Sequence, residues 1–229
     1  VAPDRMAPAS SDASFRRYFR VWYDGQTRIV MDAPPDKEDC RPFVHAAQVL
    51  ADAGVSVPRV LSADLDRGFL LLSDLGATTY LAALTEANAD EHYRAAIDAL
   101  IRIQLASRPN ELPPYDRALL QRELDLFPDW YLAQHLKLTL SESQSSQLAA
   151  VFEKILAVNL AEPAVYVHRD YHSRNLMVAT PNPGIVDFQD AVYGPISYDL
   201  VSLFKDAYIE WPEERTLDWL IRYWQAARK

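Results

Sequence analysis

The sequence predicts an α+β fold in two parts: an N-terminal antiparallel sheet carrying one helix, then a part made mainly of helix. Three observations predict it. Strand-like runs rich in aromatic and β-branched residues crowd the first third, glycine-marked tight turns separate them, and after Ser73-Asp74-Leu75-Gly76 the apolar residues switch to a helical spacing. The expected division is residues 1–76 and 77–229, with that four-residue run as the hinge.

Arg17 to Tyr23 and Thr27 to Ala33 read as two strands of a hairpin, because Asp24-Gly25 between them suits a turn that needs positive φ. Pro42 fits the first turn of a helix whose apolar face is Phe43, Ala46, Ala47 and Leu50, with Gly54 just past its end. Val57 to Ala63 and Gly68 to Leu72 are two further strands around Asp66-Arg67-Gly68, and Pro58 confines the first to an edge or a strand start. Beyond the hinge, Tyr93, Ala96, Ile97, Leu100, Ile103 and Gln104 form one helical stripe that Asn88 or Asp90 could cap. A second helix includes Leu119, Leu120, Leu124, Phe127, Trp130 and Tyr131 and is expected to kink or divide at Pro128. Ser141 and Gln144 give the capping-box signal for a third, running towards Leu160. Short strands return at Val165 to His168, Leu176 to Val178 and Gly184 to Asp187, and helices at Ser197 to Tyr208 and Glu213 to Arg228.

Composition excludes several classes. With 49% hydrophobic and 24% charged residues the chain reads as globular, not fibrous or disordered. No apolar run approaches the roughly 18 residues of a membrane span. A net charge of -9 works against nucleic acid, whose binding rests on Lys and Arg against phosphate. Arg5, Arg16, Arg17, Arg20 and Arg28 still cluster near the start, leaving either a local anion site or a solvated sheet edge. Cys40 is the single cysteine, so neither an intrachain disulfide nor a cysteine-based zinc site is available. With no charged-then-apolar leader at the start, the cytoplasm is the expected compartment and a monomer the expected state.

The chemistry concentrates in His168-Arg169-Asp170-Tyr171-His172-Ser173-Arg174-Asn175, followed by Asp187-Phe188-Gln189-Asp190 after an apolar strand. An acid stands five residues before an amide, and a second acid twelve residues beyond it. Phosphoryl transfer needs this set, because the attacking hydroxyl must be aligned and phosphate charge neutralised by metal. Asp170 is the candidate base, while Asn175 and Asp187 offer the hard oxygens that magnesium prefers. The pattern is similar to the H-R-D-x-x-x-x-N loop and D-F-G turn of protein kinases, with His172 where those carry lysine. His168 is assigned a bracing role. Arg169 and Arg174 either touch phosphate or face solvent; Asp190 and Asp199 either bind substrate or brace loops. A transition-metal hydrolase using His168, Asp170 and His172 on alternate positions is weaker, because it leaves Asn175 and Asp187 idle. A catalytically dead binding module is opposed by the retention of Asp170, Asn175 and Asp187 together.

A wider resemblance spans nearly the whole chain. Ser11 to Arg20 (SDASFRRYFR), Met31-Asp32-Ala33-Pro34-Pro35, Leu72 to Gly76 and Asp187 to Leu200 resemble the aminoglycoside phosphotransferase superfamily, and within it the anomeric kinases of N-acetylmuramate and N-acetylglucosamine in cell-wall recycling. The resemblance implies a bilobal, protein-kinase-like fold with ATP and Mg2+ as cofactors and a sugar as acceptor, phosphorylated at its anomeric hydroxyl. The N-terminal lobe would clamp ATP through Ser10, Ser11, Ser14 and Arg16, and the backbone of Ser73, Asp74 and Leu75 would meet adenine. His172 would lie near the transferred phosphate, and Arg174, Gln189 and Asp190 are the candidate substrate residues. Another hydroxyl acceptor, an aminoglycoside or a choline-like amine, is the alternative.

Three departures qualify the resemblance. The expected nucleotide-covering loop, Ala9 to Arg16, has no glycine. The third strand offers Met31 and Asp32 where a phosphate-contacting lysine is usual, leaving Arg16, Arg17, Arg28 or Lys37 to replace it and Glu38 without an assured partner. Family members generally continue with further helix where this sequence stops at Lys229, so the expectation is a second part truncated at its C-terminus, which would leave the sugar site open.

Overall fold

The computed structural model describes residues 5–11 and 15–228. Its first part is a five-stranded antiparallel sheet of β1 (Arg5–Ser11), β2 (Arg17–Tyr23), β3 (Gln26–Asp32), β4 (Val60–Asp64) and β5 (Phe69–Ser73), in the order β1-β2-β3-β5-β4. Helix α1 (Arg41–Asp52) lies between β3 and β4 in the chain. Asp24 and Gly25, at φ 49° and 69°, close the β2–β3 hairpin in the left-handed conformation that the dipeptide tolerates. Phe43, Ala46, Ala47 and Leu50 are the buried face of α1, as their spacing predicts. Pro58 keeps β4 from starting until Val60, and β4 forms an edge of the sheet.

The second part is helical. It comprises α2 (Tyr80–Ala83), α3 (Ala89–Leu105), α4 (Arg117–Leu126), a π-helical stretch Phe127–His135, α5 (Glu142–Ala161), α6 (Tyr198–Phe204) and α7 (Glu213–Ala227). All six residues of the α3 stripe are buried. Pro128 has no N–H to donate, and the chain beyond Leu126 takes the wider π pattern instead of extending α4. Ser141 caps α5 with the full reciprocal box, its Oγ accepting from the Gln144 amide and the Gln144 side chain accepting from Ser141.

Between α5 and α6 run β6 (Ala164–Val167), β7 (Leu176–Met177), β8 (Gly184–Ile185) and β9 (Val192–Pro195), paired as β6–β9 and β7–β8. These two ribbons hold the motifs. The loop 168–175 joins β6 to β7, and Asp187 follows β8.

Several expectations are corrected. The sheet has five strands, not four: β1 covers part of the segment read as a loop, so Ser10 and Ser11 are paired with β2 and Ala9 sits at a shift of register between Pro8 and Ser10, while Ser14 lies outside the described residues. The short helix α2 and strand β9 were not expected. Strand β8 ends at Ile185, and Asp187 has left-handed backbone at φ 67° instead of ending a strand. Helix α6 stops at Phe204, four residues before the expected Tyr208. Asn88 precedes α3 without a side-chain bond to the helix; its Oδ1 accepts from the Thr85 amide instead.

One hydrophobic core runs through both parts. Met31, Phe43, Leu50 and Leu72 from the sheet part belong to the same buried cluster as Leu100, Leu176, Ile185, Phe188 and Trp219.

Candidate active site

The loop 168–175 is held from behind by one buried carboxylate. Asp199, in the first turn of α6, accepts the backbone N–H of His168 at 2.7 Å and of Arg169 at 3.0 Å. Arg169 takes φ 78° there, a conformation that two backbone bonds to one side chain stabilise against its local cost. Burial pushes the Asp199 carboxyl up to about 7, with the two amide bonds opposing it. His168 is fully buried, and its Nε2 lies 3.0 Å from the Val186 carbonyl. A carbonyl only accepts, so Nε2 carries the hydrogen and Nδ1 is left to accept the Asp170 N–H at 3.3 Å. Both interactions require a neutral ring, and burial pushes its pKa down to about 4. The Tyr171 hydroxyl donates to the Ala96 carbonyl of α3 at 2.9 Å.

The reactive side chains meet on the cleft side of this loop. A cleft of about 560 Å³ is lined by Asp170, His172, Asn175 and Asp187 from the second part, and by Ser73 at the end of β5 with Asp74 and Leu75 just after it. Asn175 Nδ2 donates to the Asp170 carbonyl at 3.0 Å and to Asp187 Oδ2 at 3.3 Å, which leaves the Asn175 amide oxygen available as a ligand beside the carboxylate. The Asp187 carboxylate and this amide oxygen are two hard donors of the kind magnesium takes, and they could hold one together with phosphate and water. Among the described residues no group of three His, Cys, Asp or Glu could form an all-protein metal cage. Burial, and then the neighbouring Asp187 charge, raise the Asp170 pKa above the ordinary carboxylate value, making it a better proton acceptor than a solvated aspartate.

The other expected residues separate. His172 lines the cleft with its ring edge against Tyr208 at 5.3 Å, and its Nδ1 is buried with no partner among the described residues. Arg174 lines the cleft over the Tyr208 ring. Gln189 turns away from it. Its Nε2 donates to Asp187 Oδ1 at 2.9 Å, and the residue lines a second cleft beside the Pro109–Pro114 loop. Asp190 is exposed and does not line the main cleft. Ser10 and Ser11 lie in β1, and Arg16 is not a lining residue.

None of Arg16, Arg17, Arg28 and Lys37, the expected replacements for the absent lysine, lines the cleft; Arg17 pairs with Asp32. The cation from the sheet part that does is Arg20 of β2, which the sequence reading placed in the N-terminal basic cluster but not among the replacements for the lysine. Its Nε donates to Asp74 Oδ2 at 2.6 Å and its Nη2 to the Gly76 carbonyl at 2.7 Å. Burial works against the Asp74 charge, yet the guanidinium and the Gly76 N–H outweigh it and hold that carboxyl below its ordinary pKa. The alternation of Tyr18 with Arg20 along β2 was the available signal, since residues two apart share a strand face.

The model of a phosphotransferase enzyme family matches residues 5–228. The chain belongs to this phosphotransferase family. Among curated relatives it is 54% identical over 228 residues to the N-acetylmuramate/N-acetylglucosamine kinase of Pseudomonas aeruginosa, covering 99% of this chain and 67% of that protein. It is 49% identical over 236 residues to the kinase of the same name from Neisseria meningitidis serogroup B, covering 100% of this chain and 70% of that one. The chain thus spans about two thirds of the length of these relatives. The phosphotransferase fold is shared with the solved gentamicin complex of APH(2'')-IIa at a TM-score of 0.69 and 17% identity, covering 97% of this chain and 77% of that one. It is shared too with APH(3'')-Id from Streptomyces rimosus in complex with ADP and streptomycin, at a TM-score of 0.63 and 20% identity, covering 90% and 81%.

Proposed function

We propose that this phosphotransferase transfers the γ-phosphoryl group of ATP to the anomeric hydroxyl of N-acetylmuramate and N-acetylglucosamine, giving the sugar 1-phosphate, in the cytoplasm. The observation that carries the reading is the convergence of Asp170, Asn175 and Asp187 on one cleft in a chain about half identical to kinases named for these two sugars. On this reading residues 1–76 clamp the nucleotide, with adenine against the backbone of Ser73 to Leu75, and residues 77–229 hold the sugar.

Asp170 takes the role of base. An anomeric hydroxyl is more acidic than an ordinary alcohol, so a carboxylate of modest basicity suffices as acceptor late in a loose transition state. As the anomeric oxygen bonds to the γ-phosphorus, the bond from that phosphorus to the bridging oxygen of ADP breaks, and the hydroxyl proton passes to Asp170. The Asp187 carboxylate and the Asn175 amide oxygen would hold magnesium, which would supply neutralisation of phosphate charge. Gln189 fixes the Asp187 carboxylate through Oδ1, and His172 stands at the same cleft wall to meet phosphate oxygen.

The test supplies the full-length protein with magnesium ATP and a panel of N-acetylmuramate, N-acetylglucosamine, aminoglycosides and choline. Phosphate transfer to the two N-acetylated sugars is expected. Asp170→Asn should lower kcat by at least about a hundredfold while leaving nucleotide affinity unchanged. Equal turnover in the variant would remove the base role, and transfer only to an aminoglycoside or choline would overturn the acceptor.

A further inference from the structure

The two sugars named for the relatives differ by one charged group: N-acetylmuramate carries a lactyl ether whose carboxylate N-acetylglucosamine lacks. A site that accepts both and prefers the charged sugar gains from a cation able to meet this carboxylate. It must also tolerate the neutral sugar, and a buried guanidinium would not, because it would be left desolvated and unpaired.

Two arginines line the main cleft, and they differ in this respect. Arg20 is committed to Asp74 and the Gly76 carbonyl. Arg174 is exposed and makes no ion pair among the described residues; its guanidinium lies over the Tyr208 ring, 4.8 Å from the centroid. The ring holds a cation without neutralising it. The pair is also pre-positioned relative to the base. Asp206 accepts the Ser173 N–H through Oδ2 and the Tyr208 N–H through Oδ1, each at 2.9 Å, so the residue before Arg174 and the ring beneath it hang from one carboxylate. Arg174 stands four positions after Asp170 on the same loop, and Asp170, His172, Arg174 and Tyr208 all line the same cleft.

We propose that Arg174, stacked on Tyr208, binds the lactyl carboxylate of N-acetylmuramate and is the residue that favours this sugar over N-acetylglucosamine. The inference rests on the acceptor reading given above. Water solvates the exposed guanidinium when the neutral sugar is bound, and the planar fork of Arg174 offers two parallel N–H donors when the carboxylate is present.

The experiment compares kcat/KM at saturating magnesium ATP for three acceptors: N-acetylmuramate, its uncharged lactyl carboxamide and N-acetylglucosamine. Wild type, Arg174→Ala and Arg174→Lys are measured as full-length proteins. Arg174→Ala is expected to lower kcat/KM for N-acetylmuramate at least about tenfold, through KM. The values for the carboxamide and N-acetylglucosamine should stay within about twofold, and Arg174→Lys should recover part of the loss. Equal losses on all three acceptors with a raised KM for ATP would assign Arg174 to the nucleotide phosphates and overturn the proposal. So would an unchanged preference. A wild-type protein that phosphorylates neither sugar would instead overturn the acceptor reading, a result visible before any variant is compared.

Discussion

His168 shows how much one side chain can fix. Its donor and acceptor bonds specify a single neutral tautomer, and its burial depresses the pKa from 6.5 to about 4. The unfolded chain takes up this proton at higher pH than the folded chain does, so the contribution of the residue to stability is full above about pH 6.5 and is lost as pH falls towards 4. The stability gap between wild type and His168→Gln should therefore be widest at neutral pH and narrow by about 3 kcal/mol near pH 4. Urea unfolding at pH 7 and 4.5 measures this, and a gap independent of pH would show that the ring is not held neutral. The bracing role of His168 was legible because a histidine at a strand end beside a loop has backbone groups to hold. Arg20 was not, because the missing lysine was sought at its usual position on the third strand and among the flexible cations nearest the expected loop. What selects Arg20 is a partner 54 residues away, Asp74, which no local pattern contains.

At the scale of elements, the sequence was informative wherever a local rule acts alone. The β2–β3 hairpin, the face of α1, the stripe of α3 and the box on α5 all follow from turn chemistry or periodicity within a few residues. Strands β7 and β8 have two residues each and β9 has four, so their limits are set by tertiary pairing and not by propensity. The division of the α4 region at Pro128 was expected, whereas the π geometry that follows it was not, since it depends on how the wider turn packs. Gly68 combines both kinds of constraint. Its φ is 73°, and a Cβ there would sit 1.8 Å from the Ala33 carbonyl oxygen, in the turn where the Ala33 N–H donates to the Gly68 carbonyl at 2.9 Å. Gly68→Ala should cost more than about 2 kcal/mol and lower the urea midpoint accordingly. A change below about half that value would mean the turn can reshape without loss.

For the whole molecule, the general architecture and the three converging side chains could be read from the sequence, because spacing in the catalytic segment carries chemical meaning. Which face each remaining residue presents could not, as Gln189 and Asp190 show by leaving the main cleft. The continuous core makes sheet and helices interdependent. Phe43 of α1 packs on Phe188, next to Asp187, with ring centroids 4.9 Å apart, and both rings line the cleft. Phe43→Ala should destabilise the fold by about 3–5 kcal/mol. It should also weaken nucleotide binding measured calorimetrically below the melting range, whereas a loss of stability with unchanged nucleotide affinity would separate core from cleft.

The bonds made by Arg20 have a mechanical consequence. Because one guanidinium from β2 grips both the Asp74 carboxylate and the Gly76 carbonyl, the strand is riveted to the chain at the point where it leaves the sheet. Pulling the segment Asp74 to Gly76 away from β2 would have to break this charged contact. The first residues after β5 are thereby anchored to the middle of β2, and the cleft wall they form moves with the sheet.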